Sequence, residues 1–358
     1  MIPEQVLEVA LKERIIFVMG DKDTGKTTFV LALANELFHQ GFSVGIIDAD
    51  IGQSDIGPPT TVGFGVVQTP LTSLCDAVLQ SLYFVGSISP KGCLLPLVIG
   101  TRKMLDNALT QELQKIILDT TGLISGQLGR VLKTHKIQLT APDVIVCLQR
   151  AGECEHILSA YHGFEKPIIL RLLPPSQCRT KTISDRQSHR TKFFKRYFTE
   201  ARLIHCSLED IGVFDTHLFK GSALSEQRIK QLNQELRASI PVQTALPSQA
   251  NPPTPVFPQI LWGEILGREI AIVTSQKLKY QQMMRLKTVL GESSYIKNST
   301  PEDYRNLLLG LLDHNGACCA LGILRTLDFA AKQASIFTCA SPQEIAAVQF
   351  SGYTYEYS

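Results

Sequence analysis

The feature that most constrains this chain is a glycine-rich segment between an apolar stretch and a helix-like stretch. The segment reads Gly20-Asp21-Lys22-Asp23-Thr24-Gly25-Lys26-Thr27 and satisfies the pattern G-x-x-x-x-G-K-[ST] in full. Backbone N–H groups around such glycines form a cradle for phosphate oxygens, and the positive N-terminal end of the following helix attracts the same charge. The segment therefore predicts a P-loop that binds a nucleoside triphosphate.

Two side chains of this segment have specific expected roles. Lys26 reaches the β and γ phosphates, and the hydroxyl of Thr27 is offered to Mg²⁺, a cation that keeps several waters and needs few protein ligands. A glycine-rich turn without a ligand explains neither residue. The expected nucleotide-binding residues are Gly20, Asp23, Thr24, Gly25, Lys26, Thr27 and Thr28.

Composition and cysteine usage indicate an intracellular protein with a sizeable core. The chain has 358 residues, of which 44% are hydrophobic, and its length favours roughly two or three domains. Its nine cysteines show no C-x-x-C spacing, which is typical of reduced thiols in the cytoplasm. The charged N-terminus does not resemble a signal peptide, and no apolar stretch reaches the length of a membrane span. We therefore expect no membrane association.

The pattern of apolar and helical stretches predicts an α/β fold. Up to about residue 215 the two alternate, as in a parallel P-loop NTPase sheet with helices on both faces. Expected strands lie at 14–19, 43–48, 81–85, 115–119, 143–148, 167–171 and 202–206. Six of the 18 prolines lie in 240–258, which suggests a semi-rigid extended linker or a wrapping arm. Strands at 269–274, 317–325, 335–339 and 346–350, with a turn at 313–316, indicate a small, mainly β C-terminal domain. The expected divisions are 1–215, 216–258 and 259–358.

A second informative segment places two acids at the end of a buried strand. Asp48 and Asp50 follow the apolar residues 44–47, at the edge where an open α/β sheet binds its ligands. If the strand persists, both side chains share one face and both address the metal and the γ-phosphate. In the alternative, one acid caps the next turn and the other is solvated.

The ordered motifs resemble one family. The P-loop, then D-x-D-x-G-Q-S from Asp48 to Ser54, then Asp119-Thr120-Thr121-Gly122 with Gly126, resemble the polynucleotide 5′-hydroxyl-kinase family. That family includes RNA kinases linked to mRNA 3′-end cleavage factors and nucleolar rRNA kinases. The resemblance covers roughly residues 14–205, and the D-x-D-x-G-Q piece separates this group from other P-loop ATPases.

The resemblance implies roles for individual residues. It makes Asp50 the general base near the substrate 5′-hydroxyl, places Asp48 in the Mg²⁺ shell, and lets Gln53 position phosphate or water. The loop from Thr120 to Gly126 resembles a clasp that holds the first phosphate of the substrate, although Leu123 stands where relatives often carry Trp. The implied substrate-binding residues are Gln53, Thr120, Thr121 and Gly122.

A basic segment predicts a lid. Residues 166–202 carry ten Lys or Arg against two acids, a net charge of +8, so the rest of the chain, which totals +2, carries −6. Ser184-Asp185-Arg186-Gln187 fits a capping box that would start a helix with Arg186 and Arg190 on one face. An arginine that closes over the transferring phosphoryl group can be worth about 10³-fold or more in rate. We expect this lid near 179–198; a solvated basic helix is the alternative.

Other basic residues of this segment are open to two interpretations. Lys192, Lys195 and Arg196 either contact the polynucleotide backbone or are ordinary surface charge, and the second interpretation is favoured.

Together these observations predict an ATP- and Mg²⁺-dependent kinase that transfers the γ-phosphate to the 5′-hydroxyl of RNA or DNA. The expected catalytic residues are Lys26, Asp50, Arg186 and Arg190. A GTPase switch would need an N-K-x-D element, which the chain lacks. The remaining alternative is an ATP-binding scaffold in an RNA-processing complex that turns over little nucleotide.

Overall fold

The fold is that of a computed structural model that describes residues 2–176, 178, 180–238, 257–291 and 294–357. The expected linker at 240–258 lies outside the described residues except for its last two positions, and so does Arg179 of the expected lid.

The helices and strands alternate in the first half of the chain, and strands dominate the second half. The helices are α1 (Glu4–Lys12), α2 (Lys26–His39), α3 (Leu94–Thr110), α4 (Gly126–Thr140), α5 (Glu155–Leu158), α6 (Ile183–Tyr197), α7 (Glu226–Ala238) and α8 (Tyr280–Leu290). The first strands are β1 (Ile15–Gly20), β2 (Val44–Ala49), β3 (Thr61–Val66), β4 (Val78–Phe84), β5 (Lys115–Thr120), β6 (Val144–Leu148) and β7 (Ile168–Leu172). The later strands are β8 (Arg202–Ser207), β9 (Gly212–Phe214), β10 (Ser222–Ala223), β11 (Ile260–Leu266), β12 (Glu269–Thr274), β13 (Tyr295–Ser299), β14 (Leu307–Leu312), β15 (Cys318–Asp328), β16 (Gln333–Thr338) and β17 (Ala347–Thr354).

Five parallel strands form the part of the large sheet that carries the P-loop, in the order β7-β6-β1-β5-β2. Every residue of β2, β5 and β6 is buried, as expected for parallel strands covered on both faces. Side-chain alternation divides β1 between two cores. Phe17 and Met19 pack with α3 and α4, whereas Ile16 and Val18 pack with α1 and α2. The predicted sheet with helices on both faces is confirmed.

Two of the expected strands, those at 81–85 and 202–206, do not belong to the parallel part of the large sheet. The strand expected at 81–85 is β4, which pairs antiparallel with β3, a strand that was not predicted, and β3 pairs antiparallel with β2. Residues 50–60 and 67–77 make these two connections without an α-helix. A parallel crossover needs about a dozen or more residues, usually with a helix, so the chain turns back instead.

The sheet continues into the C-terminal half. Strand β15 pairs with β4 at Cys318 and Leu82, and β14, β17 and β9 follow on the far side. The strand expected at 202–206 is β8, which pairs antiparallel with β16 and therefore extends the C-terminal half instead of the parallel part. The divisions expected at residues 215 and 259 stay predictions.

The C-terminal region is mainly β, as predicted. Strands β12, β15, β16 and β17 match the expected strands, and the turn at 313–316 is present. The carboxylate of Asp313 accepts N–H bonds from Asn315 and Ala317 there, at 2.8 and 2.9 Å. Strands β10 to β13 form a separate four-stranded sheet that packs against α7 and α8. Within the described ranges, none of the helices combines the length and apolar character that a bilayer crossing requires.

Candidate active site

The P-loop folds as a tight turn between β1 and α2. Gly25 precedes α2 with φ 82°, a left-handed conformation that glycine adopts without strain. The hydroxyl of Thr24 donates to the carbonyl of Asp21 at 2.9 Å, and the ammonium of Lys26 donates to the same carbonyl at 2.6 Å. Lys26 is only 7% exposed. Hydrogen bonds within the loop thus hold its conformation, and the Lys26 ammonium contacts the loop backbone.

A cavity of about 370 Å³ lies in front of this loop. It brings together residues from the P-loop, the turn after β2, the turn after β5 and the lid. The lining residues are Lys22, Asp23, Gly25, Lys26, Thr27, Thr28, Asp50, Gln53, Gly122, Pro175, Cys178, Lys181 and Arg186. Nine of the residues predicted for nucleotide, catalysis or substrate therefore face one space. Gly20, Thr24, Asp48, Thr120, Thr121 and Arg190 are not among the lining residues.

Asp119 is the carboxylate beside Thr27, although it was not among the predicted site residues. Its Oδ2 accepts the hydroxyl of Thr27 at 2.8 Å. Its Oδ1 is buried and has no hydrogen-bond partner among the described residues. Burial raises the pKa of Asp119 to about 6, although Lys26 and Thr27 oppose that change. Its place at the end of β5, after three apolar residues, was the signal in the sequence.

Asp48 has contacts that suit an organiser of the following turn. Its Oδ1 accepts the N–H of Asp50 at 3.0 Å, and its Oδ2 accepts those of Asp55 and Ile56 at 2.7 and 3.1 Å. Burial, together with the charges of Asp119 and Asp55, raises the pKa of Asp48 well above its ordinary value. Its role as a metal ligand stays a prediction, and these contacts favour the alternative in which one acid holds the turn.

Asp50 lies beyond the strand and not on it. Strand β2 ends at Ala49, so the condition under which Asp48 and Asp50 would share a face is not met. Asp50 instead lines the cavity, half-buried, and its Oδ1 accepts the N–H of Gly52 at 3.2 Å. The Asp48 carboxylate therefore accepts hydrogen bonds within the turn, whereas Asp50 lines the cavity.

Helix α6, the predicted lid, begins earlier than the sequence predicts. The capping box of α6 is formed by Thr182 and Asp185, with reciprocal bonds of 3.1 and 2.9 Å, so Ser184 is not the N-cap. The segment Thr182 to Asp185 is itself a capping-box pattern, which the prediction from Ser184 did not consider. Arg186 still faces the P-loop, whereas Arg190 lies one turn further along.

Three contacts fasten this helix over the site. The Arg186 guanidinium pairs with the carboxylate of Asp23 at 2.8 Å. The amide of Gln53 donates to the backbone carbonyl of Arg186 at 3.2 Å. His189 Nε2 lies 2.9 Å from the carboxylate of Asp55, a contact that the sequence did not suggest. Helix α6 is thus joined both to the P-loop and to the turn that carries Asp50.

This site is that of a P-loop nucleotide-binding protein. A glycine-rich loop connects a strand to a helix that bears Lys26 and Thr27, and the acid Asp119 lies beside Thr27 at the end of a neighbouring strand. Within that class, the family described as mRNA cleavage and polyadenylation factor CLP1 P-loop matches residues 20–200. The chain belongs to this family, and the resemblance inferred from the motifs is confirmed.

Individual relatives extend the match over most of the chain. A protein of Pyrococcus abyssi named polyribonucleotide 5′-hydroxyl-kinase is 31% identical over 93% of this chain and 84% of its own length. A protein of the same name from Pyrococcus horikoshii is 34% identical over 91% of this chain and 81% of its own length. A solved structure of the wild-type Clp1p-Pcf11p complex is 10% identical, covers 98% of this chain and 78% of that one, and has a TM-score of 0.62, so it supports the fold.

Proposed function

We propose that this protein is an ATP-dependent kinase that phosphorylates the 5′-hydroxyl end of RNA. The observation that carries the proposal is that one cavity is lined both by the phosphate-binding Lys26 and Thr27 and by the Asp50 carboxylate. The Asp50 carboxylate supplies this cavity with a proton acceptor, which a nucleotide binder without a transfer reaction does not need. The names of the archaeal relatives support RNA as the polynucleotide.

The residues present fit a Mg²⁺ ion. Mg²⁺ prefers oxygen ligands and keeps several waters, and the Thr27 hydroxyl beside the unpaired, buried Oδ1 of Asp119 offers that chemistry. We therefore assign Thr27 and Asp119 to hold the ion, with Asp119 taking the role first given to Asp48. When bound, the ion neutralises charge that develops on the phosphate oxygens.

Asp50 is the group placed to accept a proton. In the proposed reaction the 5′-oxygen forms a bond to the γ-phosphorus, the bond from that phosphorus to the β–γ bridging oxygen breaks, and ADP leaves. The hydroxyl proton passes to the Asp50 carboxylate, which lines the same cavity. Gln53, next to Asp50 in the cavity, orients the incoming group.

Two cations of the site change partners when nucleotide binds. Lys26 now donates to the carbonyl of Asp21, and Arg186 is paired with Asp23. Phosphate oxygens in the cradle compete for Lys26, because a hydrogen bond between two charged groups is stronger than one to a neutral carbonyl. They compete for Arg186 as well, because phosphate oxygens accept the guanidinium as the Asp23 carboxylate does. Lys26 then holds the β and γ phosphates, and Arg186 closes over the γ-phosphate.

The deciding experiment incubates the purified chain with γ-labelled ATP and matched 5′-hydroxyl RNA and DNA oligonucleotides. We expect label on the RNA, none on an oligonucleotide that already carries a 5′-phosphate, and none with Lys26→Ala, which removes the charge from the cradle. DNA labelling equal to that of RNA would remove the preference for RNA. ATP binding without transfer to either polymer would overturn the proposal in favour of the scaffold alternative.

A further inference from the structure

Helix α4 buries two lysines beside the site. Lys133 and Lys136 are both 0% exposed. Burial of an ammonium group is unfavourable unless the group is paired, so the partners of each lysine indicate its task. Lys115 illustrates the rule elsewhere in the fold: its ammonium donates to three carbonyls at the C-terminal end of α1, at 2.7 to 2.8 Å.

Lys133 has two acceptors, and both lie in the loop that follows β5. Its Nζ donates to the hydroxyl of Thr120 and to the carbonyl of Thr121, each at 2.6 Å. The Thr120 hydroxyl in turn donates to the carbonyl of Val18, on the strand that leads into the P-loop, at 2.8 Å. Lys133 therefore joins α4, this loop and β1.

The bond to Thr121 fixes the direction of one peptide group. The carbonyl of Thr121 and the N–H of Gly122 belong to the same trans peptide unit, so they point in opposite directions. Since Lys133 holds the carbonyl, the N–H of Gly122 points away from α4. That N–H has no protein acceptor among the described residues, and Gly122 lines the cavity.

Gly122 also lies directly against the nucleotide loop. A Cβ atom at this position would lie 2.7 Å from the backbone nitrogen of Lys22, closer than side chains approach backbone. The peptide can therefore neither shift toward the P-loop nor accept a larger residue without displacing it. The orientation of the Thr121–Gly122 peptide therefore depends on Lys133, which holds its carbonyl.

We propose that Lys133 is a positioning residue: by holding the Thr121 carbonyl it turns the Gly122 N–H toward the cavity, where that N–H donates to a phosphate oxygen of the bound RNA. This inference rests on the proposed kinase function. Burial and the nearby charges of Lys136 and Lys26 lower the pKa of Lys133 well below its ordinary value. An uncharged amine still has two N–H donors, which match the two acceptors.

Lys136 supplies the matched control. It lies one turn further along α4 with equal burial, but its Nζ has no hydrogen-bond partner among the described residues. Lys133→Met and Lys136→Met therefore remove the same group from the same helix, and only the first releases the Thr121 carbonyl.

The test measures binding of a fluorescent 5′-hydroxyl RNA by anisotropy, binding of ATP by calorimetry, and kcat and KM. For Lys133→Met we expect the Kd and KM for RNA to rise about tenfold, the effect of one charge-assisted hydrogen bond, with the Kd for ATP within about twofold. For Lys136→Met both affinities should stay within about twofold of wild type.

Two results would overturn the inference. One is RNA binding by Lys133→Met that equals that of Lys136→Met; the other is an equal loss of RNA and ATP affinity, which indicates general disruption. If Lys133→Met does not fold, Thr120→Val removes one of the two acceptors that hold Lys133 and its connection to β1. We then expect a smaller rise in the Kd for RNA with the Kd for ATP unchanged, and no rise would overturn the inference. Because RNA binding needs no turnover, a wild-type chain that binds RNA without phosphorylating it refutes the kinase function separately.

Discussion

The Nη2 atom of Arg186 lies 2.9 and 2.8 Å from the two carboxylate oxygens of Asp23, in the middle of the P-loop. Asp23 has φ 55°, and its own carbonyl accepts a bond from Arg150 at 2.8 Å, so the acid is held from both sides. Arg186 of the proposed lid thus contacts the P-loop itself. We therefore expect Asp23 and the γ-phosphate to compete for the same guanidinium.

The first prediction tests the lid. Arg186→Lys keeps the charge but loses the planar fork, so kcat should fall by about 10- to 100-fold while KM for ATP changes less. Steady-state kinetics with saturating 5′-hydroxyl RNA measures both parameters. Arg190→Lys is the matched control, since Arg190 is not among the residues that line the cavity. A larger effect at Arg190 than at Arg186 would reassign the lid residue.

A second prediction follows from the competition itself. Asp23→Asn tolerates the same left-handed backbone but removes the carboxylate, so Arg186 becomes available to phosphate. A partly buried ion pair of this kind is worth about 1 kcal/mol, so ATP should bind about fivefold more tightly. Calorimetry of wild type and variant measures the difference. Weaker binding by the variant would mean that Asp23 supports the nucleotide directly.

The third prediction distinguishes Asp119 from Asp48 as the ligand of Mg²⁺. Asp119→Asn should raise the Mg²⁺ concentration needed for half-maximal rate by about 10- to 100-fold, because the ion loses a charged oxygen ligand. Asp48→Asn should instead destabilise the protein by about 1 to 3 kcal/mol, because an amide N–H then faces the backbone donors that the carboxylate accepted. Mg²⁺ titrations and thermal unfolding of both variants decide the assignment. The reverse pattern would restore Asp48 as the metal ligand.

The local motifs were readable from the sequence because each is a short segment with fixed chemistry. The P-loop needs only eight consecutive residues, and the fully buried strands β2, β5 and β6 appear as apolar runs. The family resemblance had the same basis. The contacts between those segments could not be predicted from the sequence, because they join residues that are far apart in the chain.

Particular residues show which contacts the sequence could not predict. The hydrogen bond from Thr27 to Asp119 joins positions 92 apart, and the one from Gln53 to the Arg186 carbonyl joins positions 133 apart. Strand β2 ends at Ala49, and Asp48 accepts N–H groups of the turn that follows, which strand alternation does not reveal. The placement of β8 beside β16 likewise depends on pairing across 130 residues, as between His205 and Ser335.

The fourth prediction concerns the base. Asp50→Asn keeps the shape and the oxygen that accepts the Gly52 N–H, but it cannot take a proton, so kcat should fall by about 10²-fold or more. ATP affinity should change little. Asp106→Asn, on the exposed face of α3, is the control for loss of one negative charge. A collapse of ATP affinity in Asp50→Asn would show that Asp50 belongs to the metal shell.

The last prediction uses the unpaired lysine. Burial lowers the pKa of Lys136 to about 7, although the charges of Asp50, Asp48 and Asp119 act in the opposite direction. Between pH 7 and the ordinary value of 10.5, the unfolded chain therefore holds a proton that the folded chain lacks. Stability then rises with pH across this window, because it rises wherever the unfolded state binds more protons. Lys136→Met removes this dependence, so it should be more stable than wild type by about 1 to 4 kcal/mol at pH 7, with the difference shrinking toward pH 10. Chemical unfolding of both proteins at several pH values measures it, and a constant or growing difference would contradict a buried lysine that loses its proton on folding.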